Sequence, residues 1–199
     1  MVAFVGLTGG MGAGKSTALE ALQRLGAAVI SSDAVVHELY AHDVGLREAV
    51  LERWGPGVVP DGVVDRAALA ERVFANREER EWLEGLLWPL VAERVTQWLS
   101  EVRATRPAPR AAVVEVPLLF EAGLEGIYDA TIAVVAEEQL RRERAAGRGH
   151  ALASERDARQ LAQSEKAERA TYTVTNDGDE SELQERLEAI LCDLGDHAP

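Results

Sequence analysis

Short apolar runs alternate along this chain with longer segments whose apolar residues recur at helical spacing. The runs are rich in β-branched residues and have the length of buried strands. They occupy residues 2–7, 27–30, 111–116, 130–135 and 171–175. Strands that alternate with helices are joined by right-handed crossovers. The pattern therefore predicts an α/β fold with a parallel five-stranded sheet sandwiched by helices.

One long stretch, residues 41–102, shows helical periodicity and no plausible buried strand. Asp65 is placed to cap one helix of this stretch, and Asn76 with Glu79 makes a capping-box-like start for a longer one. Pro89 should kink or break that longer helix. Three tryptophans are expected in the core of the stretch: Trp54, Trp82 and Trp98. We therefore predict a helical insertion between the second and third strands, a natural place for a second substrate.

With 199 residues, 47% of them hydrophobic and 28% charged, the chain has the composition of one soluble globular domain. Its net charge of −13 disfavours nucleic acid and anionic membranes as partners. The first strand begins directly after Met1, which leaves no room for a signal peptide, and no apolar run approaches the ~20 residues of a membrane span. The single cysteine, Cys192, fits a reducing compartment, and its spacing predicts a small core residue. We expect a cytoplasmic protein that is a monomer or a weak homo-oligomer.

A glycine-rich segment follows the first strand and leads into the first helix. It fits the pattern G-x-x-x-x-G-K-[ST], precedes Thr17, and comprises Gly9, Gly10, Met11, Gly12, Ala13, Gly14, Lys15 and Ser16. Glycines let several backbone N–H groups face one polyphosphate, and the helix start adds partial positive charge. Lys15 can reach the terminal phosphates, and the Ser16 hydroxyl is placed to ligate Mg²⁺. This pattern predicts a nucleoside-triphosphate site, and the alternative is a glycine-rich turn that binds nothing.

Two carboxylates lie at the ends of neighbouring strands. Asp33 follows the second strand and is aimed at the phosphate region, because the carboxyl ends of parallel strands share one edge of a sheet. Asp33 could also cap the helix that follows, and the two roles are compatible. Glu115 lies at the end of the third strand, where a carboxylate can hold Mg²⁺ through water. The alternative for Glu115 is a carboxylate satisfied by a neighbouring helix end.

An apolar loop and an arginine-rich segment follow the third and fourth strands. Residues 117–121, which include Leu118, are placed to floor an acceptor pocket. The segment after the fourth strand contains seven arginines within residues 141–169. Guanidinium groups can offset the charge that develops during phosphoryl transfer, so at least one of Arg142, Arg148 and Arg159 is expected to contact phosphate. The alternative is a solvated helix face.

The turn after the fifth strand contains Asn176 and Gly178. It suits backbone contacts to a nucleotide base, or it is a plain turn. Taken together, the residues predict a P-loop small-molecule kinase with an insertion and a lid in a single chain. The predicted boundaries are residues 1–40, 110–140 and 170–195 for the nucleotide-binding core, 41–105 for the acceptor-binding insertion and 141–169 for the lid.

Several motifs together make the chain similar to the dephospho-coenzyme A kinase family over nearly its whole length. No single motif after the glycine-rich segment is decisive, but their order and spacing are specific. The resemblance rests on residues 6–17, Asp33, residues 61–66, residues 73–76, residues 117–121, Gln139 with Arg142, Ala158 and Arg159 with Gln163, Lys166, and residues 176–178.

This resemblance implies transfer of the γ-phosphoryl group of ATP to the ribose 3′-hydroxyl of dephospho-coenzyme A, giving ADP and coenzyme A, with Mg²⁺ as cofactor. Asp33 would orient the acceptor hydroxyl, take its proton or help hold magnesium, and Lys15 with Arg142 would stabilise charge on the transferred group. The nucleotide contacts are assigned to residues 9–17, Arg142, Asn176 and Gly178. The acceptor contacts are assigned to Asp33, His37, Arg66, Leu118, Arg148 and Arg159, and the metal contacts to Ser16, Asp33 and Glu115.

The sequence departs from the family's pattern at several positions. Trp88 stands where the family often has histidine, and His37 where it commonly has arginine. Ser31 and Ser32 replace the first Asp-Ala of the family's Ile-Asp-Ala-Asp motif, and Glu115 stands where aspartate is more usual. We expect these departures to alter acceptor affinity before they abolish the chemistry.

Two other functions are open. One is a P-loop kinase that acts on a nucleoside monophosphate or a small metabolite, because a phosphate-donor loop looks the same whatever the acceptor. The other is a nucleotide-switched binding protein, which would want a guanine-reading Asn-Lys-x-Asp segment. The chain has no such segment, and lysine occurs only at Lys15 and Lys166.

Overall fold

The computed structural model describes residues 1–74, 76–146 and 160–196. The chain divides into two compact units. One consists of Met1–Ser31 and Trp98–Pro199, and the other of Ser32–Gln97.

The first unit is built on a parallel five-stranded sheet. Its strands are β1 (Ala3–Gly9), β2 (Ala28–Ser31), β3 (Ala111–Glu115), β4 (Ala130–Val135) and β5 (Tyr172–Thr175). The order across the sheet is β2-β3-β1-β4-β5, and all four neighbouring pairs are parallel. The predicted fold class is confirmed, and β1 occupies the centre of the sheet with the carboxyl ends of all strands along one edge.

Helices follow the strands in the predicted alternation. In chain order they are α1 (Lys15–Arg24), α2 (Ser32–His42), α3 (Val44–Trp54), α4 (Arg66–Phe74), α5 (Arg77–Ala104), α6 (Glu138–Ala146), α7 (Gln163–Arg169) and α8 (Glu180–Asp196). None of these helices, nor any other within the described residues, is long and apolar enough to cross a membrane.

The apolar core of the first unit lies where α1 and α8 pack on the sheet. Val5 and Leu7 of β1 and Ile132 of β4 are fully buried there. The predicted apolar stripe of the last helix is confirmed, since every member is buried: Leu183, Leu187, Ile190, Leu191 and Leu194. Burying each of these side chains contributes about 1.5–3 kcal/mol, which fixes the sheet from which the loops of the site extend.

The second unit contains helices and no strand among its described residues. Asp65 caps α4, with Oδ1 accepting from the N–H groups of the second and third helical residues at 2.9 and 3.2 Å. Asn76 caps α5 in the same way at 3.0 and 3.3 Å. Both predicted caps are confirmed. The Glu79 carboxylate accepts from the Arg53 guanidinium and the Trp54 indole N–H, a pairing that local sequence cannot reveal.

One local expectation was wrong, and another was wrong in one of its two alternatives. α5 runs through Pro89 as one helix of 28 residues, so the proline does not break it. The carbonyl that this proline cannot bond belongs to Gly85, which has no side chain to restrict adjustment of its peptide unit. Cys192 is exposed, although it lies between buried residues of α8, and its Sγ accepts from Arg110 at 3.3 Å. It lies just outside the apolar stripe and is no core residue.

Candidate active site

The glycine-rich segment connects β1 to α1 across the carboxyl edge of the sheet. Gly14 takes the N-cap position of α1 in a left-handed conformation with φ 92°. Within the described residues no side chain caps α1, and its first turn contains no acidic residue. By contrast, four other helices are capped at their amino ends by a polar side chain: α3 by Asp43, α4 by Asp65, α5 by Asn76 and α8 by Asp179. The first turn of α1 thus carries no carboxylate of its own, which favours an anion at this helix terminus.

Lys15 folds back over the segment it follows. Its Nζ donates to the carbonyl oxygens of Gly9 at 3.0 Å and Gly10 at 3.2 Å. Ser16 is exposed at the first turn of α1. Lys15 and Ser16 therefore both lie in the first turn of α1, and the Lys15 ammonium turns back toward the glycines.

Arg141 lies against the glycine-rich segment. Its Nε donates to Met11 O at 2.9 Å. A Cβ on Gly12 would lie 2.3 Å from the backbone oxygen of Arg141, so only glycine lets α6 rest on the segment this closely. Arg142, to which the resemblance assigns a catalytic role, points elsewhere: its side chain is 78% exposed and donates to Glu138 at 2.7 Å. The structure brings Arg141 to the phosphate loop and leaves Arg142 on the outer face of α6.

Asn176 supports the same segment from β5. Its side chain is buried, its Nδ2 donates to Ala13 O at 2.9 Å, and its own N–H donates to Val135 O at 2.8 Å. Arg144 donates to the Asn176 carbonyl at 3.0 Å. The buried amide thus ties the end of β5 to the phosphate loop, a role that sequence reasoning missed. Gly178 follows in the turn, where a Cβ would lie 2.0 Å from Glu182 Oε2.

The acidic side of the site lies at the ends of β2 and β3. Ser31 and Glu115 are register partners, and the Ser31 hydroxyl donates to Glu115 Oε2 at 2.7 Å. Glu115 is only 8% exposed. A serine hydroxyl at the end of the neighbouring strand thus donates to this carboxylate. Asp33 follows two residues later in the first turn of α2, one position past the helix start, so it is not the N-cap.

The apolar loop after β3 is fixed by a buried lysine. Lys166 of α7 is fully buried, and its Nζ lies 2.8 Å from Glu121 Oε1 and 2.7 Å from Pro117 O. Burial lowers the pKa of the Lys166 ammonium below its usual value, and the Glu121 carboxylate opposes this shift. Leu118 is half-buried in this loop, whereas Leu119 and Phe120 are buried.

The remaining predicted residues are spread over the chain. His37 and Arg66 are exposed in the second unit, on α2 and at the start of α4. Arg148 and Arg159 lie outside the described residues. Within the part of the chain that the structure describes, no group of three or more His, Cys, Asp or Glu side chains could hold a metal ion. Mg²⁺ sites in kinases combine one or two carboxylates with substrate phosphates, so such a group is not required.

Comparisons with known proteins identify the family of this chain. The sequence model of the dephospho-CoA kinase family matches residues 3–182. The chain belongs to the dephospho-CoA kinase family. A dephospho-CoA kinase of Deinococcus radiodurans is 39% identical over 193 residues, which cover 96% of this chain and 91% of that protein.

Solved structures support the fold of this family member. The crystal structure of TT1252 from Thermus thermophilus has a TM-score of 0.79 and 34% identity, covering 97% of this chain and 98% of that one. The dephospho-CoA kinase from Campylobacter jejuni has a TM-score of 0.70 and 22% identity, covering 98% of each chain. At that identity the second comparison supports the fold alone.

Proposed function

We propose that this chain catalyses ATP-dependent phosphorylation of the ribose 3′-hydroxyl of dephospho-coenzyme A, giving coenzyme A and ADP. The observation that carries the proposal is family membership over residues 3–182, in a chain whose phosphate loop retains its expected geometry. ATP is the phosphoryl donor. The reaction needs little covalent chemistry from the protein, so the residues act by positioning and by electrostatic stabilisation.

Phosphate is bound by residues 9–17 at the amino end of α1. The backbone N–H groups and the helix dipole stabilise the anion, and the Lys15 ammonium stabilises charge on the γ-phosphoryl group as the bond to it breaks. Arg141 and Asn176 hold the carbonyls of Met11 and Ala13, so the loop keeps its shape without reorganising during the reaction. Arg142 is proposed to stabilise charge on the transferred group, on the strength of the resemblance.

Asp33 is proposed as the carboxylate that orients the 3′-hydroxyl and accepts its proton, or that helps hold the metal. Ser16, Asp33 and Glu115 offer hard oxygen donors, which fit Mg²⁺. When bound, Mg²⁺ would neutralise negative charge that develops during phosphoryl transfer. The hydrogen bond from Ser31 fixes the orientation of the Glu115 carboxylate.

The acceptor is proposed to bind at the helical insertion, predicted as residues 41–105, with contacts from His37, Arg66 and Leu118. The lid is proposed to comprise residues 141–169, with Arg148 and Arg159 contacting the acceptor when it closes. ATP and dephospho-coenzyme A are the partners, with no nucleic acid among them. We place the protein in the cytoplasm as a monomer or weak homo-oligomer.

Parallel assays of the purified protein test the function. ATP and Mg²⁺ are supplied with dephospho-coenzyme A, nucleoside monophosphates or shikimate, and ADP release and product mass are measured. We expect turnover with dephospho-coenzyme A only, and a loss of several orders of magnitude in the control Lys15→Ala, since removal of preorganised charge costs several kcal/mol. Preferential phosphorylation of another acceptor would assign this chain a different substrate.

A further inference from the structure

Lys166 is a buried charged residue to which the proposed mechanism assigns no role. It is fully buried on α7, and its Nζ meets three acceptors: Pro117 O at 2.7 Å, Glu121 Oε1 at 2.8 Å and Thr8 Oγ1 at 3.4 Å. An ammonium has three donor protons, so the number of donors matches the number of acceptors. A planar guanidinium is larger and presents its donors in a fork, so it would not fit this compact set of three acceptors.

The three acceptors belong to segments on both sides of the reacting groups. Thr8 immediately precedes Gly9, where the phosphate loop begins, and its hydroxyl also donates to Pro117 O at 3.3 Å. Pro117 and Glu121 are the two ends of the apolar loop that is predicted to floor the acceptor pocket. Lys166 therefore connects the last part of β1 to both ends of that loop.

Glu121 extends this connection to the start of α7. Its Oε1 also accepts from the backbone N–H of Leu161 at 2.7 Å. Its Oε2 is buried and has no hydrogen-bond partner among the described residues. The carboxylate is 12% exposed, and among the described residues its ion-pair partner is the ammonium of Lys166.

A buried ion pair is a costly way to hold two segments together. Desolvation of both charges offsets most of their attraction, and well-packed apolar side chains of similar volume often stabilise a fold as well or better. What the pair does supply is direction, because each hydrogen bond fixes an atom of the phosphate-loop strand or of the acceptor loop. Positional errors of about 1 Å lower the rate of such a reaction about 100-fold.

We propose that Lys166 is a positioning residue for phosphoryl transfer, which sets the acceptor loop relative to the phosphate loop through Pro117, Glu121 and Thr8. The proposal rests on the proposed function for the identity of the reaction. Lys166 contacts neither substrate in this role. Its effect is on the alignment of the two bound substrates, hence on kcat, rather than on ATP affinity.

The experiment separates alignment from stability with five variants, of which Lys166→Arg keeps the charge and changes the shape of the side chain. Lys166→Met removes the ties and leaves Glu121 buried without its cation, whereas Lys166→Met with Glu121→Gln removes both charges. Glu121→Gln alone retains the contacts of Lys166 with Thr8 and Pro117. Arg110→Met is the matched control, because it breaks an ion pair with Glu188 that joins a loop to α8 away from the carboxyl edge. For each protein, kcat, KM for both substrates, the ATP dissociation constant and the urea midpoint are measured.

We expect Lys166→Met to lower both the urea midpoint and kcat, the latter about 10- to 100-fold. The double variant should recover most of the midpoint, because no unpaired charge remains, while its kcat stays as low. The ATP dissociation constant should change less than about threefold throughout, and Arg110→Met should retain most of the wild-type kcat. Glu121→Gln should lower kcat, but less than Lys166→Met does, because the contacts of Lys166 with Thr8 and Pro117 remain. Lys166→Arg should have a kcat as low as that of Lys166→Met, because arginine keeps the positive charge but differs from lysine in shape.

A double variant with wild-type kcat would overturn the proposal and leave Lys166 a purely structural residue. So would a loss confined to ATP affinity. Failure of the proposed function is visible separately, because the wild-type protein would then turn over another acceptor, or none. If another acceptor is used, the same variants measured with that acceptor test the positioning role unchanged.

Discussion

Gly14 lies where the phosphate loop leaves no room for a side chain. Its backbone has φ 92° and ψ 31°, and a Cβ there would lie 2.0 Å from Asn176 Nδ2. The left-handed backbone costs about 1–2 kcal/mol for an L-residue. Displacing the amide breaks its hydrogen bond to Ala13 O, whose residue is fully buried, and costs about 1–3 kcal/mol more. We expect Gly14→Ala to lower the free energy of unfolding by about 3 kcal/mol.

Gly26 provides a control with the same backbone strain. Its φ is 91°, and a Cβ there would be 3.7 Å from the flexible Arg110 side chain, which is an ordinary contact. Gly26→Ala should therefore cost only the backbone term of about 1–2 kcal/mol. Urea unfolding is followed by far-UV circular dichroism. Tryptophan fluorescence is less suitable, because three of the four tryptophans lie within residues 32–97 and report on the other unit.

A double-mutant cycle isolates the clash. Asn176→Ala removes Nδ2, so a side chain at position 14 no longer meets it, and the double variant should cost about 1–2 kcal/mol less than the sum of the single variants. Calorimetry should show ATP affinity falling with Gly14→Ala and unchanged with Gly26→Ala. Equal destabilisation by the two alanines, with an additive cycle, would refute the view that the buried amide of Asn176 shapes the loop.

Three further outcomes follow from the structure. Arg141→Ala should weaken ATP binding about tenfold in calorimetry, because the loop loses a charge-assisted hydrogen bond. Arg142→Ala should instead lower kcat and leave ATP affinity unchanged. An unchanged kcat would show that Arg142 takes no part in the reaction. Asp33→Asn should lower kcat by at least about 100-fold while ATP still binds, since the base or metal ligand is lost without a change in side-chain size. Retained turnover would exclude a catalytic carboxylate at this position. Burial raises the pKa of Tyr128 to about 12, and a hydrogen bond to a carboxylate raises the pKa of Tyr172 to about 12. The unfolded chain releases these protons near pH 10, so the free energy of unfolding should fall between about pH 10 and about 12; absorbance at 295 nm that rises fully by about pH 10 in the folded protein would contradict this.

The parts of the fold that could be predicted are set by residues close together in the sequence. Apolar runs mark strands, and the stripe from Leu183 to Leu194 marks α8, because period and burial are local properties of the sequence. Asp65 and Asn76 cap helices through N–H groups two and three residues away. The phosphate loop combines such local signals, a strand before it and a helix after it.

The parts that could not be predicted depend on contacts far apart in sequence. Asn176 and Ala13 are 163 positions apart, and nothing near either residue indicates their hydrogen bond. Arg141 and Arg142 are neighbours whose side chains point about 100° apart on a helix, so choosing between them requires the placement of α6 on the loop. One signal for Lys166 was available: of the chain's 21 lysines and arginines, only two are lysines. In a chain that otherwise uses arginine, a lysine at these two positions indicates sites where a compact ammonium fits and a guanidinium does not.

The position of β1 in the sheet explains why the buried lysine matters. β1 lies between β3 and β4, so the phosphate loop at its end is approached from two sides. From the β4–β5 side come the groups that hold the loop carbonyls, Arg141 and Asn176. From the β2–β3 side come the oxygen groups of Ser31 and Glu115. Since the reaction requires the donor and acceptor sides at a fixed distance, that distance must be set where the two sides meet, and the ammonium of Lys166 bonds both β1 and the loop after β3 at that point.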